Sequence, residues 1–281
     1  MINIIKSDFY RIFRGVAIYI GILMILVMAG IGIYNIEPGY IGMVSSKNFE
    51  DTNYDEVLSE VTTDEMRSMT LADYRHLMMK VEGYKLDKAI LGTNMNLYYV
   101  FIFVAALAVT VDFSGSSIKN TLSSAISRKK YYISKIIFVN LLCIMILAAN
   151  TYFVYFANLI FNGERFASDL GTVTKITVMQ IPPVMALAAI LTGIAFITRR
   201  TAFYNTVTIP FIMVFQIVLS LAGAAFSIKD EYLDYEIQIM LGNLAYSPTS
   251  SYVIHSYILC GGLMVFFYLI GWLSFRKAEI R

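Results

Sequence analysis

The chain of 281 residues is 58% hydrophobic and only 15% charged, with a formal net charge of +2 and a mean hydropathy of +0.65. That composition excludes an ordinary soluble domain, a disordered acidic or basic tail and a nucleic-acid-binding surface. Two cysteines, Cys143 and Cys260, both fall inside apolar stretches and read as small apolar side chains, not as a disulfide framework.

Six apolar stretches follow one another at 16–33, 97–111, 136–161, 176–198, 202–226 and 252–275. A helix rising ~1.5 Å per residue needs about 20 apolar residues to cross a bilayer. Outer-membrane barrels show short alternating segments instead, and only a helix satisfies its own amides in lipid. The predicted fold is therefore an all-α polytopic membrane protein, a single transmembrane domain over 1–281 with six transmembrane helices. It carries an amphipathic interfacial helix at its N-terminal end and a small external helical cap after the first span.

In residues 1–15, Ile2, Ile5, Phe9, Ile12 and Phe13 recur at helical spacing, with Lys6, Ser7, Arg11 and Arg14 opposite. This predicts a helix lying in a headgroup layer. The apolar run after it is longer than a signal-peptide core and lacks a small-x-small cleavage site, so it reads as a retained anchor. Residues 34–96 form the one sizeable polar region. Thr62-Thr63-Asp64-Glu65 is a capping box and Thr70-Leu71-Ala72-Asp73 a second helix start, which predicts two or three short external helices. Their carboxylates are scattered, without the spacing of a calcium loop.

The segment 112–135 carries Ser116 and Ser117 as helix caps, then Ile118, Leu122, Ala125 and Ile126 on one face and Lys119, Asn120 and Ser123 on another. It reads as a cytoplasmic amphipathic helix. Pro182-Pro183 and Pro210 are expected to kink or break the fourth and fifth spans. Residues 227–251 mix tyrosines and aliphatic side chains with Asp230, Glu231, Asp234 and Glu236, an external or re-entrant segment.

Lys6, Arg11, Arg14, Lys119, Arg128, Lys129, Lys130, Lys135, Arg199, Arg200, Arg276, Lys277 and Arg281 all fall in segments on one side of this plan. Of the acids only Asp8, Asp112 and Glu279 join them. The excess of basic residues in short loops places that side, and both termini, in the cytoplasm of a multi-pass inner or plasma membrane protein.

No phosphate-binding Gly-x-x-x-x-Gly-Lys-Ser/Thr loop, no metal-ligand spacing around His76 or His255 and no catalytic constellation occurs, so neither an enzyme nor a cofactor-binding chain is expected. The spans carry uncharged polar groups instead, among them Gln180 and His255. Asn150, Thr151 and Asn158 in the third span and Gln216 in the fifth are the candidate substrate path, with helix-to-helix hydrogen bonding as the plainer role.

Asp112, Ile118, Lys119, Asn120, Ser127, Arg128 and Lys135 together carry a pattern that resembles ABC transporter permeases of the type-2 exporter class, with Ser116 and Ser117 where that class has Gly and Thr. The likeness extends to the N-terminal amphipathic segment, the six-span plan and Ser247-Pro248-Thr249. It implies a permease that pairs with a second copy and docks a cytoplasmic ATP-binding cassette subunit, which binds ATP and Mg, through Ile118, Lys119, Leu122, Ile126, Arg128 and Lys129. The implied cargo is an amphipathic peptide or hydrophobic compound moved outward. Two other classes compete: an ion-coupled secondary transporter, and a receptor or immunity protein that binds an external peptide.

Overall fold

The computed structural model describes residues 2–35, 85–92, 95–114, 118, 126–211, 221, 234–245 and 248–277. These form helices α1 (Ile2–Arg14), α2 (Val16–Asn35), α3 (Leu86–Gly92), α4, α5 (Arg128–Asn162), α6 (Leu170–Thr198), α7 (Ile237–Asn243) and α8 (Ser250–Arg276), with a further helical stretch at 201–211. Helix α4 runs from Met95–Ala105 through a π-helical turn, Ala106–Thr110, into Val111–Ser114. Among the described residues the fold is all-helical.

Four helices are long and apolar enough to cross a membrane, those holding Val16–Ile33, Arg128–Asn162, Glu164–Thr198 and Ser250–Arg276, and Val100–Ser114 is a shorter apolar helix. The chain thus has the character of a helical membrane protein. Of the six expected spans, the first, third, fourth and sixth reach that standard. The second is apolar but falls short in length, and the fifth is described only over 201–211 and at 221. Most of the acidic segment 34–96, with the capping signals at Thr62 and Thr70, lies outside the described residues.

Helices α5 and α6 form the central hairpin, with α2 and α4 packed on it from one side and α8 laid along α6. Gly163 turns the chain between them at φ 79°, a left-handed value that costs a glycine little. Asn158 then donates to the Phe166 carbonyl at 2.7 Å and fixes the turn that follows. Asp169, Ser127, Glu236 and Thr249 cap α6, α5, α7 and α8, each side chain accepting from an amide in the first turn.

The crossing of α6 and α8 depends on absent side chains. A Cβ on Gly193 would lie 2.8 Å from the Phe267 carbonyl oxygen, and one on Gly271 would lie 3.2 Å from the Gly193 Cα. Small residues at both positions let the two backbones approach, the usual way helices associate where lipid offers no hydrophobic drive. An aromatic group of Phe113, Tyr132, Phe196, Trp272 and Phe275 closes the same end of the bundle.

One sequence expectation is corrected by the packing. The prolines do not break α6, which runs through Pro182 and Pro183 as one helix. In the segment 112–135, α4 continues to Ser114 and α5 begins at Arg128.

Candidate functional site

Helix α1 buries charge. Asp8, 4% exposed, and Arg11 one turn later share the face turned to the bundle, beside Ile12. The expected apolar face is also used, since Phe9 meets Phe138 edge-on at 4.9 Å between ring centroids. Arg11, placed by sequence spacing on the polar side, is drawn inward by what α4 and α5 present.

Those helices supply Asp112 from the last turn of α4, and Tyr131 and Lys135 four residues apart on α5. Lys135 is 1% exposed. Its Nζ lies 2.7 and 2.8 Å from the two Asp8 carboxylate oxygens and 2.6 Å from Asp112 Oδ2. The Tyr131 hydroxyl donates to the same Asp112 oxygen at 2.7 Å. Arg11 pairs with Asp112 and, at 3.1 Å, with Asp8. Formal charges balance, two carboxylates against a guanidinium and an ammonium.

Charges taken out of water persist only when paired and hydrogen-bonded on most sides, and this cluster meets that condition. Burial holds the Asp8 carboxyl above the usual carboxylate range, against the opposing pull of Lys135. Arg11 also donates to the Leu107 carbonyl at 3.2 Å and the Ala108 carbonyl at 3.5 Å, inside the π-helical turn of α4. A π turn leaves carbonyls out of register with the α-helical ladder, and Arg11 serves two of them. The Tyr204 hydroxyl donates to the Ile102 carbonyl, in the α-helical part of α4 before that turn, at 3.2 Å.

The cluster therefore locks α1 to the two helix ends that bracket 115–127. More contacts gather at this end: Arg128 donates to the Arg276 carbonyl at 2.8 Å, and Arg199 to the Ser274 carbonyl at 2.8 Å. Arg199 terminates α6 in the left-handed region at φ 56°, a strained conformation for a residue with a Cβ. The basic segments grouped by charge in the sequence meet here in space.

The expected docking residues divide. Ile118 is 2% exposed and belongs to the chain's own core, and Ile126 is half-buried against it. Neither presents an apolar stripe to a partner. Arg128 is half-buried and Lys129 is exposed, while Lys119 and Leu122 lie outside the described residues. Of the expected substrate path, Asn150 is buried, 5% exposed. The Thr151 hydroxyl donates back to the Leu147 carbonyl at 2.9 Å. Asn158 is taken up by Phe166 and by Asn162, which donates to it at 3.0 Å. Gln216 lies outside the described residues. Thr151 and Asn158 thus serve the helix and the turn after it.

Sequence reasoning singled out Asp112 and Lys135 and missed the partners Asp8, Arg11 and Tyr131. A signal was present: Asp8 and Arg11 sit three residues apart in an amphipathic helix in which Asp8 is the lone acid. An acid that close to an arginine, beside a lone acid and a lone lysine at two span ends, fits a shared cluster. Among the described residues no group of three or more His, Cys, Asp or Glu is placed to hold a metal ion. No family model matches the chain, and no curated protein matches it.

Proposed function

We propose that this chain is the membrane-spanning subunit of an ATP-driven exporter of the ABC type-2 class, working in a six-span form as a pair of copies in the inner or plasma membrane with both termini in the cytoplasm. One observation carries the reading. Asp112 and Lys135, which bear the sequence resemblance, meet at 2.6 Å across the ends of the helices flanking 115–127. A segment that receives force from a motor needs rigid attachment at both ends, and a buried ionic lock to a third helix supplies it.

In this reading 115–130 docks a cytoplasmic ATP-binding cassette subunit, which holds ATP and Mg. Ile118 anchors the segment inward, and Lys129, exposed, meets acidic rim groups of the partner, with Lys119 and Leu122 as the further docking residues that the resemblance implies. The cargo is an amphipathic peptide or similarly hydrophobic compound, in keeping with apolar helices rich in methionine and aromatic residues.

The test is purification of the tagged chain from native membranes in mild detergent. A cassette ATPase is expected to co-purify, and Lys129→Glu is expected to lose it while the chain keeps its thermal unfolding midpoint. Cargo movement that survives ATP depletion while a proton gradient is held would instead establish the ion-coupled carrier.

A further inference from the structure

The opposite end of the bundle holds an arrangement that none of this uses. Helices α3 and α7 are both short, and both are packed at that end: α3 against α2 and α5, α7 against α6, and the two against each other. Short helices leave their last carbonyls unpaired. In α7 the amide of Ala245 donates to Gly242 and that of Leu244 to Met240, which passes over Leu241.

One side chain serves both ends. Gln180 of α6, 0% exposed, donates through Nε2 to the Leu91 carbonyl of α3 at 3.2 Å and to the Leu241 carbonyl of α7 at 2.7 Å. The two hydrogens of one amide nitrogen thus hold two separate helices to the same point of a third. That point lies just before Pro182 and Pro183. These prolines have no N–H to offer the carbonyls of Val178 and Met179, so the helix is soft there. The Met179 carbonyl is taken instead by the Tyr257 hydroxyl of α8 at 3.1 Å. Ala29, Leu91, Val154, Ile176 and Ala245 form an apolar cluster separate from the main core at this end, on the α3 side of the hinge.

We infer that Gln180 is a latch: it ties α3 and α7 to α6 at its proline hinge, and releasing it lets the outer end of the bundle open about Pro182 and Pro183. The inference rests on the exporter reading only for its use, as the step that discharges cargo outward. The latch and hinge are properties of this chain alone. Interhelical hydrogen bonds in lipid are worth ~0.6–2 kcal/mol each, which suits a contact that must hold at rest and break under load.

A built-in reporter exists. Cys260 of α8 is 0% exposed, with its Sγ 3.5 Å from the Met240 sulfur of α7, so α7 covers it. In a Cys143→Ala background, in proteoliposomes without any partner, N-ethylmaleimide is expected to modify Cys260 slowly. Gln180→Leu, similar in size but without donors, is expected to react at least about tenfold faster, and Pro182→Ala with Pro183→Ala, which restores the helix amides, at least about threefold slower than the parent.

A second background, Cys260→Ala, leaves Cys143 on α5 as the sole thiol. Its labelling is expected to stay unchanged by Gln180→Leu. Parental rates at Cys260 in Gln180→Leu, equal acceleration at Cys143, or a proline pair that reacts as fast as the parent would each overturn the latch. Slowing at Cys260 with labelling of Cys143 unchanged is not produced by general misfolding, which alters both thiols, so the proline pair decides the question even if Gln180→Leu is poorly folded. Because no ATPase is present, this outcome is separate from that of co-purification.

Discussion

Replacing Lys135 with methionine removes one charge from the buried cluster and little volume. Lys135 is 1% exposed, and its loss leaves Asp8 and Asp112 facing Arg11 alone, whose side chain is 36% exposed and so partly in water. Breaking a buried pair on one side costs about 3–5 kcal/mol. A second route to the magnitude is independent of that figure. The variant can escape the exposed repulsion by protonating Asp8, and at pH 7 this costs about 1.4 kcal/mol for each of roughly three pH units above the ordinary value of 3.8. That route caps the loss near ~4 kcal/mol. The sign with pH follows from the same step. A carboxyl whose folded pKa is raised binds more protons folded than unfolded, so stability falls as pH rises through that interval and returns as pH falls toward 3.8. Lys135→Met is therefore expected to unfold well below the parent at pH 7 in lipid nanodiscs, and to recover on acidification to about pH 5. Adding Asp8→Asn, which removes the stranded charge, is expected to restore most of the loss at pH 7 in a double-mutant cycle. A single variant within about 1 kcal/mol of the parent, or a loss unchanged between pH 7 and pH 5, would refute the cluster as a charge-paired lock.

Two further substitutions probe the rest of the bundle. Gly193→Ala would place its Cβ 2.8 Å from the Phe267 carbonyl oxygen and is expected to cost about 1–3 kcal/mol through separation of α6 from α8. Gly262→Ala on α8, which meets nothing within 4 Å, is expected to leave the thermal midpoint unchanged or raise it slightly. At the end of the bundle away from the cluster, Asp87, 0% exposed, accepts from the Ser168 amide at 2.9 Å and its hydroxyl at 3.1 Å. Asp87→Ala strands that amide and is expected to cost about 1–3 kcal/mol, visible as faster hydrogen exchange at 164–169.

Hydropathy located the long helices well because the quantity it measures, unbroken apolar length, is what a membrane selects. It placed α2 and α8 within two residues of their observed limits and matched the end of α6, whose start it set six residues late. It misjudged the start of α5 by eight residues, because Arg128, Lys129, Lys130 and Lys135 looked like loop. The Ser127 cap and the burial of Lys135 show why: a cation beside two carboxylates no longer needs water, and the helix extends under it. Periodicity on α1 erred for the same reason. It sorted Arg11 by polarity, whereas the partners that decide which way Arg11 points lie about a hundred residues away, on a different helix.

The same limit explains why the sequence could not divide the polar residues inside the helices between a substrate path and helix-to-helix hydrogen bonding. Asn158, Thr151 and Gln180 are indistinguishable by sequence, each a lone polar group in an apolar run. Their partners separate them. Thr151 closes on its own helix, Asn158 on the turn that follows its own helix, and Gln180 on two helices brought in from segments far along the chain. A bond to the residue's own helix restrains only local geometry, but one that spans independently connected elements must break if those elements separate. By that criterion the Asp8–Lys135–Asp112 cluster at one end and Gln180 nearer the other are, among the described residues, places where this bundle can transmit or resist movement, alongside the Tyr257–Met179, Arg128–Arg276 and Arg199–Ser274 contacts. Because α6 and α5 join the two ends as continuous helices, a displacement imposed at the cluster has a rigid route to the proline hinge.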